Sequence, residues 1–202
     1  MIANIISSVT VGRVAIATGI TGLLGLVFIM LFFTVGQPFG TLNDICIGLT
    51  AILSVVLVWM LYPGHHMLSP ILSQFALVVA VLGALVVVVG STLSIFGVTG
   101  WFLSGLYMAA GNALIGLWLL ALNYSALRDI RFPHGLVIFG LISGVILVLG
   151  LVTIPGIFRG IDIKEYILTT VNAIWWTSAL GWLALYPIWC VLVGRSLFKI
   201  SL

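Results

Sequence analysis

Three asparagines are the residues of this chain best placed for chemistry in an apolar surround: Asn43, Asn112 and Asn172. Each lies near or inside a long apolar run, where an amide needs a hydrogen-bond partner and can offer one to a ligand. Asp44 follows Asn43 directly, Ser104, Thr169 and Thr170 extend the set, and Trp175 or Trp176 supplies an aromatic wall. At a rise of about 1.5 Å per residue from the outer rim assigned below, Asn43 and Asp44 sit at the mouth, Asn172 a turn or two beneath it and Asn112 near the middle. Asp44, Asn43, Asn112, Thr169, Asn172 and Trp176 therefore form the candidate ligand site, a polar wedge suited to a small lipophilic solute or a lipid headgroup. A plainer account competes with it. An asparagine in lipid also finds its partner on a neighbouring helix carbonyl, and a carboxylate beside a loop reaches water or caps a helix.

Motifs for catalysis are missing. There is no HExxH, no cysteine cluster, no pair of buried carboxylates and no acidic residue in the middle of a predicted span, so neither a metalloprotease nor an acidic proton relay is expected. Gly140-Leu141-Ile142-Ser143-Gly144 has the wrong spacing for an intramembrane serine protease, and no histidine falls inside a span. His65, His66 and His134 belong to the predicted rim, where solvated imidazoles are the ordinary reading and a metal or haem ligand the special one. The chain is thus expected to be no enzyme and to hold no metal, and its cofactor, if any, is unknown. Cys46 and Cys190 fall toward opposite faces and are read as free, buried thiols.

The elements that must position these residues follow from composition. Of 202 residues, 5% are charged and 63% hydrophobic, with a mean hydropathy of +1.39; no polar surface remains to face water, so the solvent is lipid. A helix needs about 20 apolar residues to cross the hydrocarbon core. Six segments qualify, at about 14–35, 45–62, 70–95, 101–127, 136–154 and 166–193. The turns fall at Pro63-Gly64-His65-His66, at Gly97-Val98-Thr99-Gly100 and at Pro155-Gly156. Runs such as Ala76-Leu77-Val78-Val79-Ala80-Val81-Leu82 lack the alternation of a barrel strand. The first run is too long for a cleaved signal and reads as a retained helix. The fold class is all-α: one polytopic domain over residues 1–202, a compact six-helix transmembrane bundle with short loops and no helix interrupted at mid-span.

Charge orients the bundle. Arg13, Arg128, Arg131, Arg195 and Lys199 gather on one face, whereas Arg159 and Lys164 share the other with Asp44, Asp162 and Glu165. The bias places both termini in the cytoplasm of a prokaryotic plasma membrane. The net charge of +3 then matches an anionic inner leaflet and calls for no nucleic acid. Trp59, Tyr62, Tyr124, Tyr186 and Trp189 read as inner interface anchors, with Trp101 and Tyr166 at the outer rim. Small residues line helical stripes: Thr18, Gly22 and Gly25; Gly83, Val87, Gly90 and Ser94; Gly105, Ala109, Asn112 and Gly116; Gly140 and Gly144. Such seams pack helices within a chain or against protein partners. A faint threefold hairpin pattern is parallel in sense and does not match the inverted repeats of secondary transporters.

The stretch Ala113-Leu114-Ile115-Gly116-Leu117-Trp118-Leu119-Leu120-Ala121-Leu122-Asn123-Tyr124, then Phe132-Pro133-His134-Gly135-Leu136 and a glycine-rich fifth span, resembles the DUF4386-type family of bacterial multi-pass membrane proteins. Arg13-Val14-Ala15 and the Asn43-Asp44 entry to the second span add to the likeness, while the longer segment usual after the family's first helix is missing. The resemblance implies six helices and no particular activity. Two functions are then expected in order: an accessory or structural subunit of a membrane complex, and, as the alternative, a binding or transport protein for a small lipophilic solute through the outer-half cavity. A reporter active only in the cytoplasm, fused after Lys199, is expected to be active; an external readout overturns the orientation.

Overall fold

A computed structural model describes residues 8–127, 133–162 and 169–200, leaving aside the side chains of His65, Leu68, Thr169, Lys199 and Ile200. Arg128, Arg131, Lys164, Glu165 and Tyr166 lie outside the described residues. The chain is an all-α bundle. Its helices are α1 (Ser8–Val35), α2 (Phe39–Leu68), α3 (Pro70–Ile95), α4 (Trp101–Ala126), α5 (His134–Val148), α6 (Ile154–Phe158), α7 (Thr169–Leu180) and α8 (Tyr186–Ile200). A 3₁₀ turn, Leu149–Thr153, joins α5 to α6, and a π-helical turn, Gly181–Leu185, joins α7 to α8. Taken as continuous rods these make six helices long and apolar enough to cross a membrane.

The fourth helix is the hub, with 72% of its apolar window buried against 33% for α1. Its sequence explains the position. Gly105, Gly111 and Gly116 let three neighbours approach its backbone, α7 through the Trp175 ring, α3 at Gly83 and Val87, and α5 at Gly144 and Leu147. The seam of α1 is used in the same way: Gly12 meets the Gly194 carbonyl, and Gly19 and Gly22 make space for Pro187. The order of these contacts makes α1 antiparallel to α8, so both described chain ends share one face of the bundle. Packing of this kind is what holds helices together where burial from water no longer drives association.

Three expectations about the helices change. The segment Pro63-Gly64-His65-His66 is no turn, because α2 runs through it to Leu68. Pro63 releases only the Trp59 carbonyl, close to the end of the helix where a polar environment can satisfy it. His66 Nδ1 is shared by Tyr62 Oη and Ser73 Oγ, each at 3.1 Å, which ties the last turn of α2 to the first of α3. Pro70 then restarts the helix in its first turn, where its missing N–H costs nothing.

The fifth and sixth spans are interrupted, contrary to expectation. In the fifth, Pro155 cannot bond to the Leu151 carbonyl, and the chain tightens into the 3₁₀ turn instead of stopping. Thr153 Oγ1 donates to the carbonyls of Gly150, at 2.7 Å, and Leu106, at 3.1 Å, while Ser178 Oγ donates to that of Leu147 at 3.1 Å. In the sixth, Pro187 leaves the Leu183 carbonyl without its usual donor, and the Tyr186 N–H bonds back to Gly181, five residues earlier.

Two supposed interface anchors belong to the core. Tyr186 and Trp189 are 1% and 2% exposed, stacked on each other, and Tyr186 Oη meets Ser54 Oγ at 2.7 Å. An aromatic ring with a polar tip suits an interface, but it suits a buried site equally once its tip has a partner. Trp59 and Tyr124 are exposed, as anchors require. Gly111→Val drives a side chain into the α3 backbone at Gly83 and Val87, and is expected to cost about 1–3 kcal/mol. The check is the thermal midpoint in detergent, with Gly64→Ala, where nothing lies within 4 Å, expected to leave it unchanged.

Candidate functional site

Asn43, Asp44, Ser104, Trp175 and Trp176 converge at the bundle end opposite the chain ends. There α2 starts early. Gln37 Oε1 accepts the Thr41 N–H at 3.4 Å and the Pro38 carbonyl accepts that of Leu42 at 3.2 Å, so the helix begins at Phe39 rather than near residue 45. Asp44 is therefore inside the helix, roughly 7–8 Å along its axis from Phe39 at the standard rise. It does not cap α2, and it is 6% exposed. Its Oδ2 accepts Ser94 Oγ from α3 at 2.6 Å and its Oδ1 accepts Asn43 Nδ2 at 3.2 Å. Among the described residues no Arg, Lys or His side chain pairs with it.

Asn43 and Asp44 form one wall of a cavity of about 30 Å³. Trp101, Ser104 and Met108 of α4 line a second wall, and Trp175 and Trp176 of α7 a third. Trp182 and Leu183 of the π turn, with Ile29 of α1, complete it. Rings are set edge to face: Trp101 and Trp175 have centroids 6.0 Å apart, and Phe102 and Trp175 5.3 Å, while Trp175 and Trp176 tilt against each other at 4.7 Å. Gly105 makes this possible, because a Cβ there would stand 3.2 Å from the Trp175 ring. Trp101 and Trp176 are 39% and 40% exposed, so both rings reach the surface of the bundle.

Among the described residues, Asn43 Oδ1 and the indole N–H groups of Trp175 and Trp182 are buried without a partner. Unpaired buried polar atoms are uncommon and call for an explanation by water, ion or ligand. A water needs about 10–15 Å³ of cavity space, so the cavity admits at least one.

The structure divides the residues singled out by type and spacing. Asn43, Asp44 and Trp176 line the cavity, as do Ser104 and Trp175. Asn112 does not. It lies one turn deeper than Met108, and its Nδ2 donates to the Met108 carbonyl at 2.9 Å, so its amide is spent on its own helix. Asn172 is also outside the cavity lining, with Oδ1 buried and unpartnered, and Thr170 is exposed. Thr169 opens α7, and its side chain lies outside the described residues. Ser94, Trp182 and Met108 join the site without having been assigned to it. Ser94 carried a weak signal, since its end of the third span and Asp44 belong to the same rim; Trp182 carried none, because the π turn resets the helical register that a periodic reading assumes.

Asp162 secures the rim beside the cavity. Its Oδ2 accepts the Gly100 N–H at 2.6 Å and its Oδ1 the Leu103 N–H at 3.0 Å, so a carboxylate from the loop after α6 caps α4 next to Trp101. Among the described residues, no three His, Cys, Asp or Glu side chains come together to hold a metal ion. Cys46 and Cys190 are free and buried. Compared with protein-family models, curated proteins and solved structures, the chain matches none. Asp162→Ala is expected to lower stability by about 1 kcal/mol and to speed amide hydrogen exchange at residues 100–103, with exchange elsewhere in α4 little changed.

Proposed function

We propose that this chain is a bacterial plasma-membrane protein, termini inside, that binds a small amphipathic solute in the outer-half cavity beside Asp44. What carries the reading is the carboxylate itself: it is buried in a helix long and apolar enough to cross a membrane, lines a cavity, and among the described residues has hydroxyl and amide partners but no cation. Ionisable groups at such depth are expensive and are kept for binding or transport pathways. The indoles give the solute an apolar wall, and the rings of Trp101 and Trp176 that reach the surface offer an apolar tail a path toward lipid. The five-to-two cation bias supports the orientation. Binding, with no chemistry on the solute, is the activity proposed; movement across the membrane would need a change at the interrupted spans, which is where a hinge is expected.

The accessory-subunit reading drew on the lack of catalytic groups, on short loops and on glycine seams free to meet another protein. Gly12, Gly19, Gly83, Gly111, Gly116, Gly140 and Gly144 are instead filled by neighbouring helices of the same chain, and no other observation favours that reading. Kinship with the DUF4386-type family is part of the proposal only as far as the quoted residues carry it.

Purification in mild detergent followed by mass spectrometry of retained small molecules and proteins tests the assignment. A small molecule retained by the wild type and lost in both Asp44→Ala and Trp175→Leu is expected. Retention unchanged in both variants, or a stoichiometric protein partner with no small molecule retained, sinks it.

A further inference from the structure

We infer that the head group taken by this cavity is a primary ammonium, so that the solute is a lipophilic amine held as its cation. The inference rests on the solute-binding reading and adds the charge and donor set of the head. Charge comes first. Asp44 keeps lone pairs free after accepting Ser94 Oγ and Asn43 Nδ2, among the described residues no cation pairs with it, and a buried carboxylate is stabilised most by acquiring one. An ammonium has three donors and no acceptor, which matches a carboxylate with acceptor capacity to spare.

The aromatic walls contribute their ring faces, while the N–H groups of Trp175 and Trp182 are buried and take no part in holding a donor-only head. Trp101, Trp175, Trp176 and Trp182 surround the same space, and indole is the aromatic group that attracts ammonium most strongly. Excluding water from the carboxylate strengthens the pairing further. Donor count then narrows the class: an unsubstituted ammonium offers three N–H groups to the carboxylate and a trimethylammonium offers none. An alkyl chain attached to that nitrogen leaves past Trp101 or Trp176 into lipid.

The test uses the full chain in phosphatidylcholine nanodiscs, read by tryptophan fluorescence, with three probes of one chain length: butylammonium, 1-butanol and butyltrimethylammonium. Butylammonium is expected to give a saturable change, and the neutral and the methylated probes to bind about ten-fold or more weakly, the difference a hydrogen-bonded charge makes. In Asp44→Asn the preference for butylammonium over 1-butanol is expected to vanish. The comparison among probes on the wild type stands even if that variant fails to fold. Equal binding of 1-butanol and butylammonium, abolished by Trp175→Leu, overturns the cationic head while leaving a solute site in place. No saturable change with any probe also overturns it, and the retained-molecule experiment then decides the broader reading on its own.

Discussion

Lipid satisfies no hydrogen bond, so every polar group within the spans must find its partner inside the chain or in something the chain binds. Most of the polar side chains obey by the shortest route. Thr18, Thr50, Ser54, Asn112, Asn123 and Ser143 each donate to a carbonyl four residues earlier on their own helix. A few bonds cross between helices, and they mark where the bundle is fastened: Ser54 to Tyr186, Thr153 to Leu106, Ser178 to Leu147 and Ser94 to Asp44. Of these only the last involves a carboxylate. It is also the one that borders a cavity with unpaired polar atoms.

Helix interruption and cavity are parts of one arrangement. Pro187 forces the π turn, the π turn presents Trp182 and Leu183 to the space beside Asp44, and Gly19 and Gly22 receive the proline on the α1 side. Pro155 has a similar consequence one span earlier, where the 3₁₀ turn brings Gly150 against the Ala109 carbonyl of α4. Both departures from α geometry sit against the hub helix or its neighbours. A regular helix through residues 181–185 would place Trp182 about 100° away around the axis for each residue of register lost, and the aromatic lining would be incomplete.

The sequence made the spans legible because charge is so scarce: Arg13, the Gly97–Gly100 turn and Gly194-Arg195 bracket apolar runs that no other fold class can use. The same habit of treating polar residues as boundaries misled at Asp44 and at Pro63. A carboxylate was taken as the outside of a helix when Ser94 and Asn43 let it lie within, and a proline followed by glycine was taken as a turn when the rim could satisfy the one carbonyl it frees. Asn112 looked like a ligand group from its depth alone, yet an asparagine amide reaches its own helix four residues back, a bond that composition cannot reveal. Tryptophans posed the converse problem. Trp59, Trp101, Trp175 and Trp189 are similar by position in their runs, and only tertiary packing separates the lipid-facing, cavity-lining and core members.

The account stands on Asp44 as a buried carboxylate that meets the solute. Infrared difference spectroscopy of the protein in nanodiscs, with and without butylammonium, reads that group itself. A change in carboxylate bands that is present in the wild type and absent in Asp44→Asn is the predicted result. A solute-induced spectrum with no carboxylate component, or one identical in Asp44→Asn, contradicts it.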